Sequence, residues 1–154
     1  MLKKLNILIF GGRTFPVTKR KAQKFLEKKL TRWIEEHGFN KEHLVFWSGD
    51  AIGADQFHYL SKNHNSDLKL YPANWTPNGK YKDPDFSAGY KRNKKMFADF
   101  IQCPYRLAVM CTTWNARENG TAHMRNLITN HSKKTPVLHI FTRSKSKDMI
   151  THSN

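Results

Sequence analysis

Four polar stretches of this 154-residue chain set small residues beside groups able to hold an anion or move a proton. The first is Gly11-Gly12-Arg13-Thr14-Phe15. Paired glycines allow a tight turn and close backbone approach, and Arg13 adds a fork of permanent donors suited to phosphate. The spacing is not the GxGxxG of dinucleotide-binding turns. The second stretch runs Ser48-Gly49-Asp50-Ala51-Ile52-Gly53-Ala54-Asp55 straight into a helical pattern. Its small residues leave room for a ligand against backbone amides, and a helix N-terminus adds partial positive charge. Asp55 reads either as a cap of that helix or as an acceptor for ribose hydroxyls. No Lys-Ser/Thr ending follows, so this is not a P-loop.

The third stretch gathers Ala73-Asn74-Trp75, Gly79-Lys80 and Ala88-Gly89-Tyr90-Lys91-Arg92-Asn93. Trp75 offers a face for stacking a base, or a pin for its loop; Arg92 suits a phosphate and Asn93 an amide-reading role. The fourth, Asn115-Ala116-Arg117-Glu118-Asn119-Gly120-Thr121-Ala122, ends in a small-residue helix start. Asn119, Gly120 and Thr121 there could hold a phosphate or a ribose. Each stretch alone is also what an ordinary turn looks like. Four in register, each after an apolar run, are harder to ascribe to turns.

The elements that must position these groups alternate. Leu5–Phe10 is a buried strand stopped by Gly11-Gly12, and a helix follows from Thr18, as N-cap, to Gly38. Leu44–Trp47 is a second strand, Ala54–Leu60 opens a second helix, and Leu68–Tyr71 is a third strand. The span 72–87, rich in Pro, Gly, Asn, Asp and Lys, is a long loop of the functional kind. Tyr90–Phe100 is helical, Leu107–Cys111 a fourth strand, Thr121–Asn130 a helix and Val137–Phe141 a fifth strand. This alternation predicts an α/β domain: a Rossmann-like three-layer sandwich around a mostly parallel five-stranded sheet, over residues 1–141. Ligands of such sheets sit beyond the strands' carboxyl ends, where strand order reverses. Residues 142–154, with little apolar content beyond Met149 and Ile150, read as a basic, mobile tail.

Composition bounds the partners. The chain carries 27 Lys+Arg against 12 Asp+Glu, a formal charge of +15, which attracts polyanions and says nothing about fold. The charge falls in three clusters. Lys19 to Arg32 covers the first helix and reads as a solvated face. Lys80 to Lys95 flanks the expected ligand mouth, and Lys133 to Lys147 lies near the tail. Trp75, Tyr81, Phe86 and Tyr90 interleave with the second cluster as stacking candidates for nucleic acid. Eight histidines form no metal-binding pair, and two cysteines, Cys103 and Cys111, read as structural thiols. No metal and no cofactor are expected. Without a span-length apolar run or a secretory leader, the expectation is a cytoplasmic protein with no membrane partner.

Taken in order, Gly11-Gly12-Arg13, Ser48-Gly49-x-x-x-Gly53-Ala54-Asp55, Ala73-x-Trp75, Gly79-Lys80, Ala88-Gly89, Arg92-Asn93-x-x-Met96 and Gly120-Thr121-Ala122 resemble the YspA-like family of the SLOG superfamily. That Rossmann-like group also holds the LOG phosphoribohydrolases and the DNA-uptake protein DprA (Smf). The resemblance covers roughly Leu5 to Phe141. It implies a nucleotide or nucleotide-derived, ADP-ribose-like ligand at the strand ends, and contacts to phosphate or ribose from Gly11, Gly12, Arg13, Ser48, Gly49, Asp55, Arg92, Asn93, Gly120 and Thr121. Thr14, Asp50, Gly53, Trp75 and Asn119 complete the expected binding set.

The resemblance departs at two points. LOG enzymes carry a glutamate two or three residues after their Gly-Thr for N-glycosidic cleavage; here those positions are His123 and Met124. Asp55 and Glu118 are the carboxylates left for that chemistry. The insert Tyr81–Ser87 also separates motifs that lie closer in typical YspA-like sequences. The leading expectation is therefore nucleotide binding, with N-glycosidic hydrolysis or transfer as the reaction if there is one. The alternative is a single-stranded nucleic-acid-binding module of DprA-like type. A homodimer is expected by analogy with the superfamily.

Overall fold

The computed structural model describes residues 3–16, 19–51, 54–79, 83–113, 119–142 and 149–153. The element order is β1 (Leu5–Gly11), α1 (Arg20–Glu36), β2 (Leu44–Ser48), a 3-10 turn (Ala54–Tyr59) running into α2 (Leu60–Asn63), β3 (Asp67–Leu70), α3 (Ala88–Phe100), β4 (Arg106–Thr112), α4 (Asn119–His131), β5 (Val137–Thr142) and β6 (Met149–Ser153). The sheet order is β3-β2-β1-β4-β5-β6. β1 to β5 pair in parallel, and β6 lies antiparallel on β5. The α/β, Rossmann-like sandwich with its five-stranded parallel sheet is as expected. β6 is an addition in the stretch read as tail: Phe141 pairs with Ile150 and Thr142 with Met149, so hydrogen bonding to an open edge makes the strand.

Strand periodicity separates the two outer layers. Leu5, Ile7 and Ile9 of β1 join Leu107, Val109 and Cys111 of β4 on one face, under Leu26 and Leu30 of α1 and Phe57 of the 3-10 turn. Leu8, Phe10, Ala108 and Met110 face the other way, onto Met96, Phe97 and Phe100 of α3 and Met124 and Ile128 of α4. A parallel strand between two helical layers must be apolar on both sides, which is why β1 reads as a run and not an alternation. Asn6 is the polar exception in β1. Its Oδ1 accepts from Trp47 Nε1 at 2.9 Å and its amide donates to Lys4 O and Tyr105 O, so nothing polar is stranded there.

Helix α1 shows the expected stripe, burying Ala22, Leu26, Leu30, Trp33 and Ile34. Arg20, Lys21, Lys24, Lys28 and Arg32 lie on its solvated side. The N-cap reading of Thr18 lies outside the described residues. At the other end Gly38, with φ of 72°, turns the chain out of the helix while its N–H reaches Glu35 O. The second helix differs from expectation, since it opens with six residues of 3-10 turn before one α turn. Apolar residues at 54, 57 and 60 fit the threefold pitch as well as they fit an α stripe.

Candidate functional site

From β1 the chain moves outward to β2 and β3, then returns to β4 on β1's other flank. The strand order therefore reverses between β1 and β4, and a crevice opens above their carboxyl ends. That crevice is a cleft of about 860 Å³. Phe10 and Gly11 of β1, Gly49 to Ala51 after β2, Pro72 and Ala73 after β3, and Asn119 to Thr121 of α4 all line it. Arg13, Asp55, Trp75, Tyr90, Arg92 and Asn93 complete most of the wall. All four stretches singled out in the sequence converge on one cavity.

Gly11 makes the turn possible. A Cβ there would overlap the Cys111 carbonyl of β4 and come within 2.9 Å of Ala54 Cβ. Gly12, buried behind it, donates to Cys111 O at 2.8 Å and accepts from Ala54 N at 3.0 Å, which fixes the first loop to β4 and to the 3-10 turn. Arg13 leaves that turn exposed and faces the cleft. Thr14 does not line it; its hydroxyl sits 3.2 Å from the Thr113 hydroxyl.

The second loop is closed by a residue expected to touch ligand. Ser48 is fully buried, its hydroxyl donating to Asp55 O at 2.8 Å and accepting from Asp50 N at 3.1 Å. It shapes the loop from behind and is absent from the cleft wall. Asp55 is 6% exposed yet lines the cleft, with Oδ2 accepting from Ala51 N at 3.2 Å. Burial pushes its carboxyl up to about 6, against the opposing pull of the Ala51 N–H and the Arg92 charge. Asp50 sits at the mouth in a left-handed conformation, φ 57°, and its Oδ1 accepts from His58 Nε2 and Gln56 Nε2.

Arg92 and Asn93 reach the cleft already engaged. Arg92 Nη1 donates to Gly49 O at 2.5 Å and Tyr71 O at 3.3 Å, and Nε donates to Asn93 Oδ1 at 2.9 Å. Asn93 Nδ2 donates to Gly120 O at 3.1 Å and lies 3.2 Å from His123 Nδ1. The pair thus ties the loops after β2 and β3 to the first turn of α4. A fork with Nε and Nη1 committed to oxygens of the protein offers an anion only its remaining side, whereas Arg13 is open. His123 lies beside Asn93 and packs edge-on to Tyr90, with ring centroids 4.7 Å apart.

Aromatic surface adds to the wall. Trp75 and Tyr90 are 40% and 41% exposed, and Trp75 leans on Gly89, where a Cβ would stand 3.2 Å from its Cη2. Phe86, on the same rim, is 82% exposed. Gly53 and Glu118 lie outside the described residues. Among the described residues no group of three or more His, Cys, Asp or Glu could hold a metal, and no helix is long and apolar enough to cross a membrane. Burial pushes the Cys111 thiol up, in keeping with a structural role. Sequence reasoning missed the tie made by Arg92 and Asn93 and the Asp50–His58 pair, since both join residues on different elements. Compared with protein-family models, curated proteins and solved structures, the chain matches none.

Proposed function

We propose that this cleft binds a nucleotide or nucleotide-derived, ADP-ribose-like molecule, as in a SLOG-type domain. One observation carries the reading: a single crevice at the strand-order reversal is lined by an exposed arginine, a helix start and exposed aromatic rings. Phosphate belongs with Arg13 and the Asn119–Thr121 turn, where backbone N–H groups and guanidinium donors favour an anion. Asp55 suits the ribose hydroxyls, and Trp75 and Tyr90 suit a planar base. The reaction class that fits is N-glycosidic hydrolysis, because Asp55 is a carboxyl that keeps its proton to about pH 6 beside the ribose position.

Calorimetric titration with ADP-ribose and AMP tests this. Arg13→Ala should weaken binding roughly tenfold or more, the loss of one charge-assisted contact. Gly89→Val should weaken it too, by pushing the Trp75 ring off its seat, while the melting temperature changes little. A second reading rests on Phe86, whose exposure leaves a ring for a polymer to stack on in the same cleft wall as Tyr90. Single-stranded DNA binding with a steep salt slope, and no affinity for either mononucleotide, would replace the first reading by that one.

A further inference from the structure

N-glycosidic hydrolysis needs two proton-handling groups, one to protonate the departing base and one to take a proton from water. Asp55 can serve only one of these at a time. The described part of the cleft holds one other carboxyl, Asp50, and its surroundings are unusual for a loop aspartate. Its backbone is left-handed, a conformation that costs a non-glycine residue energy and persists only where neighbours enforce it. Here the enforcement comes from behind. Asp50 N donates to Ser48 Oγ, and the 3-10 turn sends His58 Nε2 to 3.0 Å and Gln56 Nε2 to 3.2 Å from Oδ1. Gln56 Nε2 is itself fixed by donating to Ala51 O at 2.8 Å.

The 3-10 pitch explains why these groups meet. At three residues per turn, Asp55 and His58 stand one above the other on the same edge, which an α-helix would splay apart. Asp55 accordingly feels the charges of both Asp50 and His58. Asp50 keeps 38% of its side chain exposed, and no described residue bonds its Oδ2. One oxygen is held from behind, and the residue lines the cleft.

We propose that Asp50 is the second catalytic carboxylate of this cleft and that His58 is its positioning residue. The inference rests on the nucleotide reading above. With a nucleoside 5′-monophosphate bound, the C1′–N bond breaks and its electron pair goes to the base nitrogen, which takes the Asp55 proton. A water oxygen bonds C1′ while its proton passes to Asp50. Free base and ribose 5-phosphate leave, and both carboxyls return to their starting states by proton exchange with solvent.

The test is release of free base from AMP by the full chain, followed chromatographically, alongside calorimetric binding of AMP. Asp50→Asn is the informative variant. Asparagine tolerates the left-handed backbone and keeps an oxygen for His58 and Gln56, yet accepts no proton. It should lower kcat by about 100-fold with KM within about twofold of wild type. His58→Gln should lower kcat by roughly tenfold and leave AMP affinity alone, and this variant carries the test if Asp50→Asn does not fold. A purely structural Asp50 would leave kcat unmoved in a folded Asn variant, and that result overturns the proposal. So does a wild-type chain that binds AMP but releases no base, which leaves the binding reading standing. Failure to bind any nucleotide overturns both.

Discussion

Gly11→Ala should destabilise the fold by about 3 kcal/mol, near the upper end for an overpacked site. For a domain of this length that lowers the melting temperature by roughly 6–12 °C. The added methyl meets the backbone carbonyl of Cys111 and the Cβ of Ala54, and neither can turn aside as the end of a flexible side chain would. β1 and β4 are the paired centre of the sheet, with Gly11 opposite Cys111 in register. Relief therefore means parting the two strands whose ends form the cleft, and ligand affinity should fall with stability. Gly120→Ala supplies the control, because among the described residues nothing stands within 4 Å of its Cβ position and the residue is helical. It should be neutral or stabilising by up to about 1 kcal/mol. Gly49→Ala falls between them: its methyl would overlap the Arg92 guanidinium, which can move only by giving up Gly49 O and Tyr71 O. Urea denaturation of the three variants ranks them, and a Gly11→Ala chain as stable as wild type would show that the two strands do not meet as described.

That steric logic was readable from Gly11-Gly12 after an apolar run, and so were most elements. β1, β2 and β4 are apolar runs because both sheet faces are covered there, β5 alternates buried Leu138 and Ile140 with half-buried neighbours, and α1 has a full stripe. β3, read over Leu68–Tyr71, runs over Asp67–Leu70; the strand was legible, and only its bounds shift, because it is short and largely exposed. Readability fails where tertiary contacts decide. β6 exists through its pairing with β5, and nothing in Met149–Ser153 alone demands a strand. The 3-10 turn shares its apolar spacing with an α-helix. At the site, residue type predicted location better than role. Arg92 and Asn93 do face the cleft, yet their donors go to Gly49 O, Tyr71 O and Gly120 O, acceptors that every residue has and no motif advertises. Ser48 has the same fate. The Asp50–His58 pair joins a loop to a turn eight positions on, a spacing that matches no regular element.

Asp55→Asn should make the protein more stable at neutral pH while abolishing any base release. The carboxyl has an ordinary value of 3.8 and is pushed to about 6 by burial, so the folded chain holds a proton that the unfolded chain has lost across that window. Stability contributed by this group must then fall as pH rises from about 4 to 6, and stay low above it. Keeping the carboxylate ionised in the folded state costs about 3 kcal/mol above that window. The Asn variant, uncharged at every pH, should recover up to about 3 kcal/mol at pH 8 and nothing below pH 4. Chemical denaturation at pH 4 and pH 8 separates the two cases, and equal pH dependence in both proteins would show that Asp55 is not the strained group. Arg92 offsets part of the cost, so the variant also loses a Coulombic partner for that guanidinium and the gain is an upper value. A phosphate arriving at Arg13 adds negative charge near Asp55 and favours its protonated form further. Binding should therefore take up a proton near pH 6 to 7, and Asp55→Asn should bind with no such uptake. ADP-ribose is the probe of choice, because its pyrophosphate keeps a fixed charge there and the proton can be charged to the protein. A carboxyl that strains the fold at neutral pH and faces a cavity is better placed to give a proton than to hold the sheet together.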